Sequence, residues 1–403
     1  MNKNYWLLWS GFSISTLGTY LSLIVINLFI YQLTGSPFLV GVFLLLRLAP
    51  ALFMGNIAGV LADKFDRRYI MIIADITRAI LISSLILLRE KFFPLYFVIF
   101  FISICDRLYQ SAMGGGLPNI VGMQNITKAN AYLTSGRTVA LVVGPMLGGL
   151  LISSGFYGFA FGIDATTYLF SAIMVWLITA EFHEKFTARQ KVNFWGGLKQ
   201  GYGFLFARMG LFSIILLRCL DAFGSSSLNV GLPVFASGLG QFTPGICYGF
   251  MMLAYGIGEM TGAIFLAKSR LVRESHPEIV IGVTILFMAV SFGISMNVTN
   301  IFLGMFFIFF CGTFEGATVV TYNTALQKNP DEVRGRIVGF SEAGVWGSMG
   351  IGMFLSGLIM EHIDFGVIVQ IFSAVIVAGS IFHIIFWRKK LLVNRIKEAA
   401  DYV

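Results

Sequence analysis

Several ionisable residues lie inside long apolar runs of this 403-residue chain, where a charge is costly and usually has a function. Asp221 follows Arg218 by three residues, a spacing that places both side chains on one face of a helix. Glu259 and Glu315 lie in two further apolar runs. Carboxylates removed from water can exchange protons near neutral pH. These three acids are therefore candidate proton carriers.

Membrane helices must hold these side chains. With 57% hydrophobic and 12% charged residues, the composition excludes an ordinary soluble domain. Apolar runs long enough to cross a bilayer recur along the whole chain. We predict twelve segments, at about 8–30, 39–61, 70–88, 94–113, 129–151, 158–179, 211–234, 244–267, 278–296, 300–321, 337–360 and 366–387. Because twelve is even, both termini lie on one side.

The distribution of positive charge sets the orientation. Most of the 28 Lys and Arg residues lie in the tails and in alternate loops, whereas the opposite loops hold only Arg89 and Lys91. Positive loops remain in the cytoplasm, so the sequence predicts a multi-pass protein of the cytoplasmic membrane with both termini inside. The same distribution explains the net charge of +8 without a nucleic-acid partner.

A polar interval divides the chain into two halves. The predicted organisation is a six-helix bundle at 1–180, a linker at 181–210, a second six-helix bundle at 211–390 and a cytoplasmic tail at 391–403. Apolar residues at helical spacing within the linker predict an amphipathic helix in the cytoplasmic interface.

Features of enzymes, metal sites and cofactor sites are missing from the sequence. The four cysteines are scattered singly in apolar runs, and the four histidines are equally dispersed. No G-x-x-x-x-G-K-[ST] loop exists, so ATP is not the energy source. Gly114, Gly115 and Gly116 are expected to form a flexible loop. We predict no cofactor and no enzymatic activity.

Residues 59–68 read Gly-Val-Leu-Ala-Asp-Lys-Phe-Asp-Arg-Arg. This stretch resembles the signature loop between helices two and three of the major facilitator superfamily, G-x-L-A-D-K/R-x-G-R-R/K, with Asp66 in place of a glycine. The resemblance implies an all-α integral membrane fold of twelve transmembrane helices in two pseudo-symmetric six-helix bundles. It also implies a small-molecule substrate held between the bundles and a monomeric state.

The resemblance further implies a conformational latch, made of Gly59, Asp63, Arg67, Arg68 and Asp106. Asp106 would pair with Arg67, and Asp63 would face the start of segment eleven, where free N–H groups are partly positive. The end of segment four, from Asp106 to Ser111, resembles the family motif R-x-x-Q-G. Arg107 therefore joins the proton-coupling candidates. Alternatively, Asp106 and Arg107 lie near the cytoplasmic face, in water.

Segment five contains the core Gly144-Pro145-x-x-Gly148-Gly149. Small residues at every fourth position let another helix approach closely, and the proline predicts a kink. The core resembles the antiporter motif of the drug-export branches, with alanines at 131 and 140 where the family has glycines. A simple packing groove is the alternative.

In this superfamily helices one, four, seven and ten line the cavity, so Asp221 and Glu315 rank ahead of Glu259. Arg47, Arg137 and Arg218 are candidate cavity residues, because an acidic siderophore would need cations there. A cationic drug would instead need unpaired acids.

Other polar residues in the spans have simpler explanations. Asp75 and Arg78 have the spacing of a structural ion pair. Asp164, near the outer start of segment six, is expected to cap or anchor that helix. The hydroxyl-rich segment one could line a polar path, or its hydroxyls could bond back to its own backbone.

Short stretches at 33–37 and 330–336 resemble the macrolide-efflux and siderophore-export branch. The function implied is secondary active export of a small amphipathic compound by proton-coupled alternating access. Macrolide-like or multiple drugs come first as substrates, then a siderophore, then a lipid-like compound. An importer of sugars or amino acids, and a non-transporting sensor or scaffold of the same fold, are the alternatives.

Overall fold

A computed structural model of the protein describes residues 1–87, 92–180, 208–266, 269, 276–329 and 331–400, apart from the side chains of some positions within helices. These residues are helical almost throughout. The α-helices are α1 (Lys3–Thr34), α2 (Pro37–Lys64), α3 (Arg67–Leu87), α4 (Phe92–Val121), α5 (Ile126–Ser153), α6 (Tyr157–Trp176), α7 (Met209–Ser225), α8 (Ser227–Gly238), α9 (Pro244–Thr261), α10 (Pro277–Ser295), α11 (Ile301–Gln327), α12 (Asp331–Met360) and α13 (Phe365–Ala400). A π-helical turn, Gly262–Leu266, continues α9.

The helices identify a multi-pass membrane protein. A helix lies over each predicted segment, with α7 and α8 together covering the seventh. Within the described part, ten helical spans are long and apolar enough to cross a membrane. The predicted linker helix lies outside the described residues.

Local sequence explains how the chain turns from α1 into α2. Gly35 ends α1 in the left-handed conformation, with φ of 66°, which glycine adopts without strain. The Ser36 side chain then accepts a hydrogen bond from the Leu39 amide, and Pro37 occupies the first turn of α2. The five residues from Gly35 to Leu39 therefore make a tight connection between the antiparallel helices α1 and α2.

The chain groups into two compact units. The first contains Met1–Arg189 with Leu232–Leu253, and the second contains Gln190–Gly231 with Ala254–Val403. In the first unit α1 packs on α5 and α6, α3 packs on α4 and α6, and α2 packs on α4. In the second unit α7 packs on α12 and α13, α10 packs on α11 and α13, and the π-helical turn packs on α11. When the helices are numbered by the twelve predicted segments, the helix contacts of the second unit are those of the first unit with six added to each segment number.

Candidate functional site

The second unit contains an arginine that two carboxylates share. Arg218 and Asp221 lie one turn apart on α7, and the guanidinium Nη1 donates to the Asp221 carboxylate. Glu315 on α11 binds the same guanidinium, with its Oε2 2.9 Å from Nη1 and its Oε1 on Nη2. This two-bond fork is the geometry in which arginine binds a carboxylate most strongly. The two segments predicted to carry the proton thus meet at one cation.

Glu259 on α9 adds a third carboxylate beside this pair. It interacts electrostatically with Glu315 and Arg218, and among the described side chains it forms no ion pair. The helices approach closely here, because a Cβ at Gly316 of α11 would lie 2.0 Å from the Glu259 carbonyl oxygen. Two carboxylates therefore bind the guanidinium, and the Glu259 carboxylate acts on it without binding it. We name Arg218, Asp221, Glu259 and Glu315 the Arg218 cluster.

Two acids of the Arg218 cluster differ in their exposure. The Asp221 side chain is fully buried, and its Oδ1 has no hydrogen-bond partner among the described atoms. The Glu315 side chain is 13% exposed, so it is the more accessible of these two carboxylates. The acids do not make a metal site, since no described group of three or more His, Cys, Asp or Glu could hold an ion.

The first unit has its own shared arginine, Arg78 on α3. The guanidinium donates to Asp75 one turn earlier and to Asp106 on α4. The rings of Tyr109 and Tyr168 cover it, with centroids 4.8 Å and 4.4 Å from Cζ. Both contacts have cation–π geometry. Only the Asp75–Arg78 pair follows from spacing in the sequence, because no spacing relates Asp106 or the two tyrosines to α3.

The partner predicted for Asp106 was wrong. Asp106 binds Arg78, whereas Arg67 donates from Nε to the Ala62 carbonyl at 3.1 Å and from Nη1 to the Gly115 carbonyl at 2.6 Å. The antiparallel packing of α3 on α4 explains the exchange. The start of α3 lies beside the end of α4, so the residue opposite Asp106 must come from three turns further along α3.

The remaining latch residues are only partly described. Asp63 lies in the last turn of α2, and its side chain is outside the described part of the structure. Arg68 donates to the Trp176 carbonyl at the end of α6. A Cβ at Gly59 would meet no atom within 4 Å, so packing does not require a glycine there. The latch itself stays a prediction.

The expected flexible loop at Gly114, Gly115 and Gly116 was also wrong, because α4 continues through all three glycines. Gly115 has a packing role that the sequence analysis missed. A Cβ at this position would lie 3.0 Å from the guanidinium carbon of Arg67. The backbone carbonyl can thus approach a buried arginine that a larger residue would push away.

The glycines of the Gly-Pro motif in α5 let two helices approach. A Cβ at Gly144 or Gly148 would lie 2.7 Å or 2.6 Å from atoms of α1. Gly149 faces α9 within the first unit, and a Cβ there would lie 2.2 Å from the Gly245 carbonyl oxygen. Pro145 lies inside α5 and does not end it. The motif is therefore a close-packing surface, and its part in antiport stays a prediction.

The structure separates the three candidate cavity arginines. Arg218 is bound by two carboxylates, as described above. Arg47 lines a small cavity inside the first unit together with Asp106 and Asp164. Arg137 is exposed on α5. Neither Arg47 nor Arg137 forms an ion pair with a described residue. Arg107, the fourth proton-coupling candidate, is half-buried on α4.

Of the two roles expected for Asp164, to cap or to anchor α6, capping is wrong. Asp164 lies in the second turn of the helix and is 1% exposed, at the contact between α6 and α1. A Cβ at Gly18 of α1 would lie 2.6 Å from its Oδ1.

Several hydroxyls of α1 bond back to their own helix, as the second interpretation of this segment proposed, whereas those of Ser13 and Ser22 do not. Ser15 and Thr16 both donate to the Phe12 carbonyl, at 3.1 Å and 2.6 Å, and Thr19 donates to the Ser15 carbonyl at 2.9 Å. Thr19 also lies 2.8 Å from the hydroxyl of Tyr168. Thr19 and Ser22 line the small cavity that Arg47 also lines, so bonds to the backbone of α1 explain only part of this polar segment.

Comparison with known proteins places this geometry in a family. The profile of the transmembrane secretion effector family matches residues 1–398. Macrolide efflux protein A of Streptococcus pyogenes is 24% identical over 370 residues, covering 89% of this chain and 90% of that protein. Enterobactin exporter EntS of Shigella boydii is 25% identical over 359 residues, covering 84% of each chain. The uncharacterized MFS-type transporter YfiS of Bacillus subtilis is 25% identical over 363 residues, covering 87% and 85%.

Solved structures share the fold. The nucleoside transporter NupG matches with a TM-score of 0.77 and 14% identity, covering 96% of this chain and 99% of that one. The POT family transporter PepTSo matches with a TM-score of 0.78 and 11% identity, covering 97% and 99%. At such identities the likeness concerns the arrangement of helices alone.

Proposed function

Because this chain belongs to the transmembrane secretion effector family of the major facilitator superfamily, we propose that it exports a small amphipathic compound by proton-coupled alternating access. Family and relatives are transporters, not enzymes. The membrane proposed is the cytoplasmic one, with both termini inside, on the distribution of Lys and Arg. The protein would act as a monomer, as the family resemblance implies.

The Arg218 cluster carries this proposal. With three acids ionised and one guanidinium, the cluster has more negative than positive charge inside a membrane, which is unfavourable. Binding of a proton reduces that imbalance, and so does binding of a cationic substrate. Proton and substrate would therefore compensate the same charge and exclude each other. Such exclusion is what an antiporter needs in order to exchange one for the other.

Glu315 is our first choice for the acid that receives the proton. Its side chain is 13% exposed, whereas the Asp221 side chain is fully buried. A neutral Glu315 would hold Arg218 less firmly, and the guanidinium would remain on Asp221. Glu259, without an ion pair among the described side chains, would then be the acid available to a substrate cation.

The binding of Arg218 by two carboxylates favours a drug-like substrate over an acidic one. Arg218 is already bound by two carboxylates, so it is a poor receptor for an acidic compound. Relatives named for macrolide efflux agree with this order. Siderophore export is the second candidate, because Arg47 is without an ion pair in the described structure and one relative is named an enterobactin exporter.

Proton flux in liposomes tests the proposal. Purified protein is reconstituted with a pH gradient, and a macrolide, a lipophilic cation or an iron-free siderophore is added. We expect compound-dependent proton flux that Glu315→Gln abolishes. Glu361→Gln, an exposed change of the same chemistry, should retain the flux. Coupling by the Arg218 cluster is refuted if Asp221→Asn, Glu259→Gln and Glu315→Gln all transport and couple as the parent does.

The same assay separates the substrate classes. Flux with the siderophore but with neither drug would establish the second candidate.

In the latch proposal, Asp63→Asn should alter transport. It should also alter the accessibility of cytoplasmic-side residues to a thiol reagent after cysteine substitution. Unchanged transport and labelling would remove Asp63 from the mechanism.

A further inference from the structure

An apolar groove on the second unit takes no part in the Arg218 cluster's chemistry. It has a volume of about 640 Å³ and lies between α7, α12 and α13. Leu216 and Phe382 on its rim are 60% and 72% exposed, and Phe386 adds a third exposed side chain. Side chains of this kind on a membrane helix face lipid acyl chains. We name this surface the α7–α13 groove.

Polar groups meet at one end of the α7–α13 groove. The Trp387 indole donates to the hydroxyl of Ser213, which lines the groove, at 2.9 Å. The Lys390 ammonium lies 4.8 Å from the centroid of the Trp387 ring and 3.4 Å from the sulfur of Met209, another lining residue. The two residues before Lys390 are exposed bases. Glu278 also lies at this end, since a Cβ at Gly210 would lie 2.5 Å from its Oε1 and 3.4 Å from the Trp387 ring. The groove is thus apolar along its length, and bases outnumber the acid at this end.

We propose that the α7–α13 groove binds an anionic phospholipid of the cytoplasmic leaflet, with an acyl chain against Phe382 and the phosphate on Lys390. Charge complementarity favours this occupant. An anionic headgroup places only a negative phosphate next to the Lys390 ammonium, whereas a zwitterionic headgroup also places its own positive group near that ammonium. Basic sites between helices at the cytoplasmic side bind such headgroups, and tryptophan prefers the same interfacial level. The leaflet named rests on the orientation given under the proposed function.

Trp387 provides the readout. Brominated lipids quench tryptophans that they touch, and the protein has six tryptophans, so comparison with Trp387→Phe isolates this one. We expect brominated phosphatidylglycerol to quench Trp387 at about a fivefold lower fraction of total lipid than brominated phosphatidylcholine. That ratio corresponds to about 1 kcal/mol for one lysine at a membrane surface. Lys390→Gln should abolish the preference, and the matched control Lys389→Gln should keep most of it.

Each other outcome overturns the proposal. Equal quenching by the two lipids would make the groove an ordinary lipid-facing surface without headgroup recognition. Because Trp387 is only 6% exposed, absence of quenching both at Trp387 and at a tryptophan placed at the exposed position 216 would mean that other residues of this chain cover the groove. Leu216→Trp provides a second probe at the rim, and it should show the same preference for the anionic lipid. The measurement needs neither substrate nor proton gradient, so its failure is distinguishable from failure of the transport proposal.

Discussion

Replacing Arg218 by methionine is expected to destabilise the protein more than neutralising either of its bound acids. Methionine keeps an apolar stem of similar length but removes the cation that Asp221 and Glu315 share. Removing one member of a buried ion pair costs about 3–5 kcal/mol, because the remaining charge is buried without compensation. Glu315→Gln leaves Arg218 on Asp221, so its cost should be smaller, about 1–3 kcal/mol for lost charged hydrogen bonds.

The geometry supports an effect of this size. At 2.9 Å between Nη1 and Oε2, the attraction is about 6 kcal/mol for an effective dielectric constant of about 20. Desolvation of both groups offsets part of that attraction in the parent protein. In the Arg218→Met variant the desolvation of the acids remains and the attraction is lost. We therefore expect about 4 kcal/mol, or roughly a thousandfold change in the unfolding equilibrium.

Reversible unfolding in mixed detergent micelles, followed by tryptophan fluorescence, measures the loss. The decisive comparison is the triple variant Arg218→Met/Asp221→Asn/Glu315→Gln, which removes the cation and both bound charges together. We expect it to recover at least half of the stability lost in Arg218→Met. If the triple variant is as unstable as the single one, lost packing explains the effect and the electrostatic argument fails.

Two further substitutions test packing in the first unit. Gly149→Ala should abolish transport or lower the free energy of unfolding by about 1–3 kcal/mol, because its Cβ would lie 2.2 Å from the Gly245 carbonyl oxygen. In the control Gly162→Ala the new Cβ meets nothing within 4 Å, so transport and thermal unfolding should not change. Equal effects of the two substitutions would contradict the packing argument. Tyr168→Phe keeps a ring 4.4 Å from the Arg78 guanidinium and should cost about 1 kcal/mol, whereas Tyr168→Ala should cost about 3–5 kcal/mol. Equal unfolding free energies for the two tyrosine variants would exclude the ring as a support of Arg78.

Patterns of short range in the sequence predicted the helices and part of the site. A helix covers each predicted apolar segment, because length and hydropathy alone decide which runs can cross a bilayer. The Arg218–Asp221 ion pair follows from i,i+3 spacing on one helix. That Glu315 reaches the same guanidinium depends on the rotation of α11 against α7, which no local pattern contains.

The errors share a physical cause, since each concerns residues far apart in the chain. Arg67 was assigned to Asp106 from a motif, but the antiparallel packing of α3 and α4 places Arg78 there. The glycines at 114–116 were expected to be flexible, since glycine disfavours helix in water. In a membrane bundle, close approach of a neighbouring group outweighs that preference, and Gly115 lies against Arg67.

The hydroxyls of α1 also bear on how the protein is made. This helix leaves the ribosome before α5 and α6, and the tyrosine that meets Thr19 is 149 residues later in the chain. Until α5 and α6 are synthesised, α1 must stay in the bilayer without its packing partners. The hydroxyls of Ser15, Thr16 and Thr19 bond to carbonyls of α1 itself. They therefore have hydrogen-bond partners in the bilayer before the other helices are present. A ribosome that stalls before α6 would leave a nascent chain in which α1 is inserted but not yet packed against α6.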